Sequence, residues 1–538
     1  MKRYINILMV ALATMMTSCL TEDPRDQLYE EDIYNNANNI YINAVAVLYN
    51  YIGGSADSEG LQGTCRGIYD YNTLTTDEAM IPIRGGDWYD GGLWTNMYQH
   101  KWSPNDLPLY NTWKYLYKVV VLSNKSLHII DKYSHNLSEE QRVAYEAEVR
   151  ALRALFYYYI MDMYGRVPIV TSYEQPQDEV VQSERSEVFR FIVNELQEVA
   201  ELLPNERSNK MGNYYGRITT PVANFLLAKL ALNAEIYCDD NWTDGVPRNG
   251  KEIFFTVDGE KLNAWQTCIK YCNKLAEVGY RLEDDYSYNF SVHNENSNEN
   301  IFTIPLDKNL YAAQFWYLFR SRHYNHGGAL GGSSENGTSA NISTVLANGY
   351  GTDDVDARFE KNFYAGIVEV DGKPVMMDNG QQLEYFPLEL KLNLTGSPYV
   401  KTAGARMAKY EVDRTSHSDG RQPDNDIVLF RYADALLMKS EAKVRNGEDG
   451  SLELNEVRGR VGMPYREATL ENILEERLLE LVWEGWRRQD MVRFGVYHKS
   501  YDQRVQLADE KNGYTTVFPI PQKSIDLNPK LKQNVGYE

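Results

Sequence analysis

Histidine and cysteine are scarce in this chain, eight and five among 538 residues, and their spacing excludes the usual metal chemistry. No histidine completes a zinc pattern around Cys65, Cys238, Cys268 or Cys272. Cys268 and Cys272 stand four apart on an apparent helix, a geometry poor for a disulfide, so all four read as structural thiols. Catalytic signatures are also missing: there is no HExxH, GxSxG or Walker A, and no GxGxxG at a strand-to-helix turn. Basic residues are in deficit, 55 against 76 acidic, for a formal charge of −21. That charge repels phosphate backbones, which excludes nucleic acid as a partner, and it disfavours anionic polysaccharides. No Pro/Ser/Gly-rich linker or polar low-complexity run divides the chain, so its length is compatible with one large domain.

Only one apolar run stands out, Ile5 to Met16, and about a dozen residues is too short to span a bilayer. Lys2 and Arg3 precede it and Thr17-Ser18-Cys19 follow, the layout of an export signal. A cysteine directly after small residues looks like a lipobox, with Met16 where leucine is usual. The expectation is a lipoprotein signal peptide over 1–18, cleavage before Cys19 and lipidation of that residue. A soluble secreted protein cut nearby is the alternative. Glu22, Asp23 and Asp26 resemble the acidic surface-export signals of such lipoproteins.

What the chain does have is helical periodicity and tyrosine. Helices are expected over Asp32 to Tyr51, Leu109 to Ile130, from Ser138 to Tyr164, Ser186 to Leu203, Thr220 to Tyr237 and Ala264 to Val278. Ser138 and Gln141 fit a capping box. From Tyr288 to Asp426 the pattern degrades into long loops and short β-like pieces such as Ile301 to Pro305 and Gly366 to Val370. Three helices follow. Leu429, Tyr432, Ala433, Leu436, Leu437, Ser440 and Val444 share a face of the first, which Asn446-Gly447 ends. Leu454, Val457 and Val461 mark the second. Thr469 caps the third, in which Arg477 with Glu480, and Glu484 with Arg487 and Arg488, sit at helical neighbour spacing. Thr516 to Ile520 reads as β-like.

The segments FRYADALLMKSEA from Phe430, LNEVRGRVG from Leu454 and LEERLLELVWEGWRRQDMVRFG from Leu474 resemble, in that order, the C-terminal hallmark of the SusD/RagB family. EAEVRALRALFYYYIMDMYGRVPIV from Glu146, GRITTPVANFLLAKLALNAEIY from Gly216 and FPIPQKSIDLNPKLKQNVGYE from Phe518 extend the likeness over nearly the whole mature chain. The resemblance implies a mainly α fold, a tetratricopeptide-like scaffold of helical pairs with long irregular loops and a few short β segments. It also implies a single SusD-like domain over 19–538, with an N-terminal region at about 20–235 and a C-terminal one at about 270–538. Family members are outer-membrane lipoproteins that bind glycans or other nutrients beside a TonB-dependent, SusC-like transporter.

Aromatics make up 12% of the chain, with 41 tyrosines and 9 tryptophans. Sugar rings present an apolar C–H face and a rim of hydroxyls, so a glycan site needs aromatic platforms beside charged or amide groups. The loop Thr75 to Pro104 supplies that mixture: Arg84, Asp87, Trp88, Tyr89 and Asp90 among glycines. The resemblance points first to Trp88 as a stacking residue. Trp94 is a further glycan-contact candidate, and Trp102 reads as structural. Leu310 to Tyr324 offers Trp316 as a second aromatic. In HNENSNEN, His293 to Asn300, the oxygens of Asn294, Asn296 and Glu299 are weak calcium candidates without EF-hand spacing; no other cofactor is expected. The charged residues between Arg458 and Arg493 read as structural ion pairs.

The function this implies is non-catalytic: a lipid-anchored cell-surface protein of the outer membrane that captures oligo- or polysaccharide and passes it to the transporter. A glycoside hydrolase with carboxylates from Asp77 to Asp90, or a family member binding peptides, are the alternatives. Stacking aromatics favour a neutral glycan.

Overall fold

The computed structural model describes residues 29–310, 316–416 and 423–538, without the side chains of Trp316 and Tyr317. The signal peptide over 1–18, lipidation at Cys19 and the Trp316 contact lie outside the described residues.

Helices dominate. The expected helix over Asp32 to Tyr51 is broken instead into Glu30–Ile33, Ala37–Ile40, a π-helical Tyr41–Ala46 and Val47–Gly53. Asn36 restarts it by accepting the Asn39 N–H at 3.0 Å, an N-cap the local sequence provides. Then come α1 (Leu107–Lys132), α2 (Glu139–Tyr164), α3 (Arg185–Val199), α4 (Thr220–Leu232) and α5 (Ala264–Glu277). The capping box of Ser138 and Gln141 opens α2, and reciprocal boxes at Glu184/Glu187 and Asn263/Gln266 open α3 and α5. Helix α2 is buried on every side from Ala151 to Tyr164, and α4 along its whole length. Such all-round burial marks central helices, with amphipathic neighbours packed around them. Accordingly α1 and α3 flank α2, while α5 packs on α4. The short link from α1 to α2 makes that pair antiparallel, and the packing of successive helices on one another is the tetratricopeptide-like arrangement expected.

The second half closes this stack. Strand β1 (Asn300–Ile304) pairs antiparallel with β2 (Ile427–Arg431), placing Ile427 opposite Ile304 and Val428 opposite Thr303. Both are wholly buried. Leu429, assigned by periodicity to a helix, therefore belongs to β2; a short apolar run does not distinguish a buried strand from a buried helix turn. Helix α6 (Tyr432–Asn446) follows without a break, ends at Gly447 in the left-handed region and packs on α5. Next are α7 (Ser451–Arg460), α8 (Leu470–Leu481), capped by Thr469, and α9 (Arg487–Arg493). The expected third helix is thus split. Trp483 adopts φ +69° and its main-chain N–H donates to buried Glu78 at 2.9 Å, a contact that a continuous helix would forbid. Thr516 to Ile520 forms no strand either: Tyr514–Thr516 is a 3₁₀ turn and the chain beyond it runs extended, held by Phe518 N–H to Met163 O at 2.7 Å.

The ion pairs are structural. Arg493 and Asp490 do pair at helical neighbour spacing, 2.8 Å apart. Among the described residues, however, the expected pairs of Arg477 with Glu480, and of Glu484 with Arg487 and Arg488, are replaced by more distant partners. Arg477 binds Asp434 at 2.8 Å and Asp490 at 2.9 Å. Glu484 takes Lys409 and Arg431, Arg487 takes Asp77, and Arg488 takes Asp162. At the centre, Glu480 meets Arg358 at 2.7 Å, Arg431 at 2.6 Å and Arg460, while Glu299 joins Arg431 at 2.7 Å and Arg460 at 2.9 Å. Burial alone would raise the Glu480 pKa, yet the three guanidiniums outweigh it and hold it well below the usual carboxylate range. This hub ties β1, β2, α7 and α8 together, and all its side chains are almost fully excluded from water.

Candidate functional site

The loop carrying the sequence candidates is a strained turn braced from distant parts of the chain. Arg84 and Asp87 exchange main-chain hydrogen bonds at 3.0 and 3.3 Å around Gly85 and Gly86. Trp88 then sits at φ +64° and Asp90 at φ +42°, left-handed conformations that a bulky L-residue adopts only when its surroundings enforce them. Two contacts do so. The Trp88 indole N–H donates to the Glu335 carbonyl at 3.0 Å. Its ring lies flush against Gly337, where a Cβ would come within 2.7 Å of Cζ2. The glycine is required by close approach.

Beneath the loop the structure buries two of the residues proposed from sequence as glycan contacts. Trp94 is 1% exposed, packs edge-on 6.0 Å from Trp88 and donates its indole N–H to Asp90 Oδ2 at 2.8 Å. The guanidiniums of Arg66 and Arg320 stand 5.4 and 5.5 Å from its ring centre. Arg84, also 1% exposed, spends its donors on the carbonyls of Val400 and Ala403 and the Ser339 hydroxyl at 2.7 to 3.1 Å. Both are corrected to supports of the loop: a loop sequence does not show what lies under it. Trp102 is buried as expected, bonded to the Tyr537 hydroxyl at 2.6 Å.

What remains at the surface is Tyr89, 58% exposed, half-buried Trp88, Asp87, and Asp90, which pairs with Arg66 at 2.8 Å. To these the fold adds Tyr324, the last residue of the second candidate stretch though not its chosen aromatic, and Lys401, which lies in no stretch singled out from sequence. The Tyr324 hydroxyl donates to Asp87 Oδ2 at 2.9 Å, and Lys401 Nζ pairs with the same oxygen at 2.6 Å. The Lys401 bond comes first among the causes that hold Asp87 below its ordinary pKa. Burial, then the Asp87 contact, push the Tyr324 phenol up to about 12. The His323 side chain caps the short helix Tyr324–Ala329 by accepting the Asn325 N–H at 3.2 Å, which sets Tyr324 toward the loop. The outcome is an open rim of two exposed phenol rings and one half-buried indole, with a carboxylate and an ammonium between them. Such a surface offers stacking faces and both hydrogen-bond polarities, which suits a polyhydroxylated ring.

The calcium candidates do not converge. Asn294 is buried and bonded to main-chain atoms of Asn289 and Asp426, and Glu299 is committed to Arg431 and Arg460 in the hub, while Asn296 is exposed. Among the described residues no group of three or more His, Cys, Asp or Glu side chains is placed to hold a metal ion.

Residues 332–537 match the sequence profile of the SusD family, and residues 32–232 match one described as starch-binding, associating with outer membrane. The starch-binding protein SusD of Bacteroides thetaiotaomicron is 24% identical over 541 residues, spanning 90% of this chain and 89% of its own. A SusD-like protein of Bacteroides ovatus is 24% identical over 80% of this chain and 74% of its own. Among solved structures, surface glycan-binding protein A from B. thetaiotaomicron in complex with laminarihexaose aligns with a TM-score of 0.70 at 21% identity, covering 92% of this chain and 99% of that one. A laminarin-binding SusD-like protein aligns at 0.68 and 20% identity over 93% and 100%. At these identities the structural likeness establishes the fold.

Proposed function

The chain belongs to the SusD family, and on that premise we propose that it is a non-catalytic glycan-binding protein of the cell surface. The observation that carries this reading is the rim of Tyr89, Tyr324 and Trp88 around the Asp87–Lys401 pair. Sugar rings stack on the aromatic faces, and their hydroxyls bond to the carboxylate and ammonium. Binding of this kind needs no group with a pKa poised near neutrality, and Asp87 is held low and the Tyr324 phenol high. A glycosidase needs two carboxyl groups facing each other across a bond. At this loop Asp87 is paired with Lys401 and Asp90 with Arg66.

The starch and laminarin named for the relatives make glucans the first ligands to test. Attachment through a lipid on Cys19 accords with the sequence, and no helix among the described residues is long and apolar enough to cross a membrane. Delivery to a TonB-dependent, SusC-like transporter completes the proposed role. The test is affinity electrophoresis of the protein beginning after Cys19, in gels containing starch, laminarin or xylan, with reducing-sugar release assayed in parallel. Retardation without sugar release supports capture. Release of sugar would replace it with a hydrolase, and no retardation by any glycan would point to a peptide ligand.

A further inference from the structure

Buried guanidiniums in this protein are partnered almost everywhere, as the high cost of burying an isolated charge requires. Arg185 and Arg322 depart from that rule: Arg185 lies over the rings of Tyr237 and Trp242, whereas Arg322 borders an open recess. Arg322 is 7% exposed, and among the described residues it makes no ion pair and no side-chain hydrogen bond; its Nε is wholly buried without an acceptor. Burial dominates its surroundings, and the ionisable groups that face it most closely are the phenols of Tyr364 and Tyr385. Other cations stand close by. Arg406, fully buried, lies 5.0 Å over the Tyr385 ring and bonds to Ser339, Asn336 and the Lys401 carbonyl. His326, buried against Tyr385, is pushed down to about 3, by burial first and then by Arg322.

Arg322 also lines a recess of about 30 Å³, between the loop that follows Leu318 and the segment Tyr410–Asp413. That volume exceeds what one water needs and admits the oxygens of a small oxyanion. Beside the recess the Ser334 hydroxyl, packed on Gly327, is buried with no partner. Two carboxylates on the opposite wall are already occupied: Glu411 accepts the Val292 N–H at 2.8 Å, and Asp413 accepts main-chain N–H groups of Thr415 and Asp424. Neither reaches Arg322 to form an ion pair.

We propose that this recess is an oxyanion site, in which the Arg322 guanidinium receives a carboxylate or sulfate group in its planar fork. The group comes either from a free anion or from an acidic substituent on the captured glycan, and the second source rests on the proposed glycan-binding role. The chain's overall negative charge does not oppose this, because a local guanidinium in a water-poor recess acts at close range while distant surface charges are screened.

Thermal melts of the mature protein, Arg322→Gln and Arg322→Met test the proposal, in a zwitterionic buffer without added salt and then with sodium sulfate or sodium chloride at equal ionic strength. Without anion both variants melt above the parent, because they no longer bury an unpaired charge. In sulfate the order reverses, and the variants lose about tenfold or more in sulfate affinity. A parent that melts higher without anion, or a sulfate response equal in all three proteins, overturns the proposal. Binding of glucuronate-substituted against unsubstituted xylo-oligosaccharide separates the two sources. If Arg322→Gln weakens only the acidic sugar, the substituent is the ligand; if the sulfate reversal holds while both sugars bind unchanged, the site takes a free anion. A sulfate reversal with neither sugar bound and no retardation by starch or laminarin removes the glycan-binding reading and leaves the anion site standing.

Discussion

Two clusters in this molecule use the same kinds of side chain to opposite ends. Around Arg431 and Glu480, every charge is buried and meets several partners, with Tyr286 and Phe290 packed 5.9 and 5.6 Å from the Arg431 guanidinium. Around Asp87, one carboxylate meets one ammonium and one phenol, and the pair is 44% and 41% exposed. The hub is closed: apart from the buried Arg460 Nε its hydrogen-bonding capacity is spent inside the protein, and its burial leaves no face for a ligand. At the rim, capacity and aromatic area are left open. Charged and aromatic residues therefore mark a binding surface only where the fold stops short of satisfying them.

The sharpest way to break this contrast is to cut each cluster and ask what fails. Glu480→Ala leaves three buried guanidiniums without their shared carboxylate and is expected to cost about 3–5 kcal/mol of stability, read as a large fall in thermal melt or loss of folded protein. Retention of the parent melt would show that the hub carries little of the fold.

Acid probes the closed class of site more gently. Burial pushes Glu441 up, but Arg493 and Arg445 outweigh it and bring it from 4.5 down to about 2. A carboxylate with a depressed folded pKa stabilises above its unfolded value, and that stability is lost as pH falls through the folded one. Stability is thus expected to drop between about pH 4.5 and pH 2, with Glu441 contributing on the order of 3 kcal/mol to the loss. In Glu441→Gln, denaturant titrations at each pH should show a shallower acid limb; an unchanged slope would contradict the assignment.

At the open cluster the expected loss is in affinity. Trp88→Ala should weaken glucan binding by about 2 kcal/mol, measured by calorimetry. It should also lower the melt modestly, since the indole packs on Gly337 and bonds to the Glu335 carbonyl. Unchanged affinity with a large fall in melt would make Trp88 part of the core. The smallest effect belongs to Lys401→Ala. Its half-exposed pair with Asp87 is worth less than about 1 kcal/mol to stability, so a change in ligand affinity with an unmoved melt is the expected result.

Much of the fold was legible because its signals are local. Ser138 and Gln141 announce a helix start, Gly447 an end, and Thr469 a cap, each within a few residues. Features set by distant contacts were not. The break at Trp483 is imposed by Glu78 from the other half of the chain, and the true partners of Glu484 and Arg488 are likewise remote. The same limit applied to the site. Trp88, Tyr89 and Asp87 announced themselves as one polar-aromatic loop. Tyr324 and Lys401 lie far along the chain, and no local pattern ties them to Asp87. Nor does local sequence separate exposed Tyr89 from buried Trp94.

The most direct test of the capture role is affinity electrophoresis of the double variant Tyr89→Ala, Tyr324→Ala in starch and laminarin gels, with its thermal melt measured alongside. Both side chains are substantially exposed, 58% and 41%, so the fold should keep the parent melt. Retardation by whichever glucan slows the parent should then be lost. A double variant that is still retarded like the parent would place glycan capture elsewhere on the molecule and contradict the account.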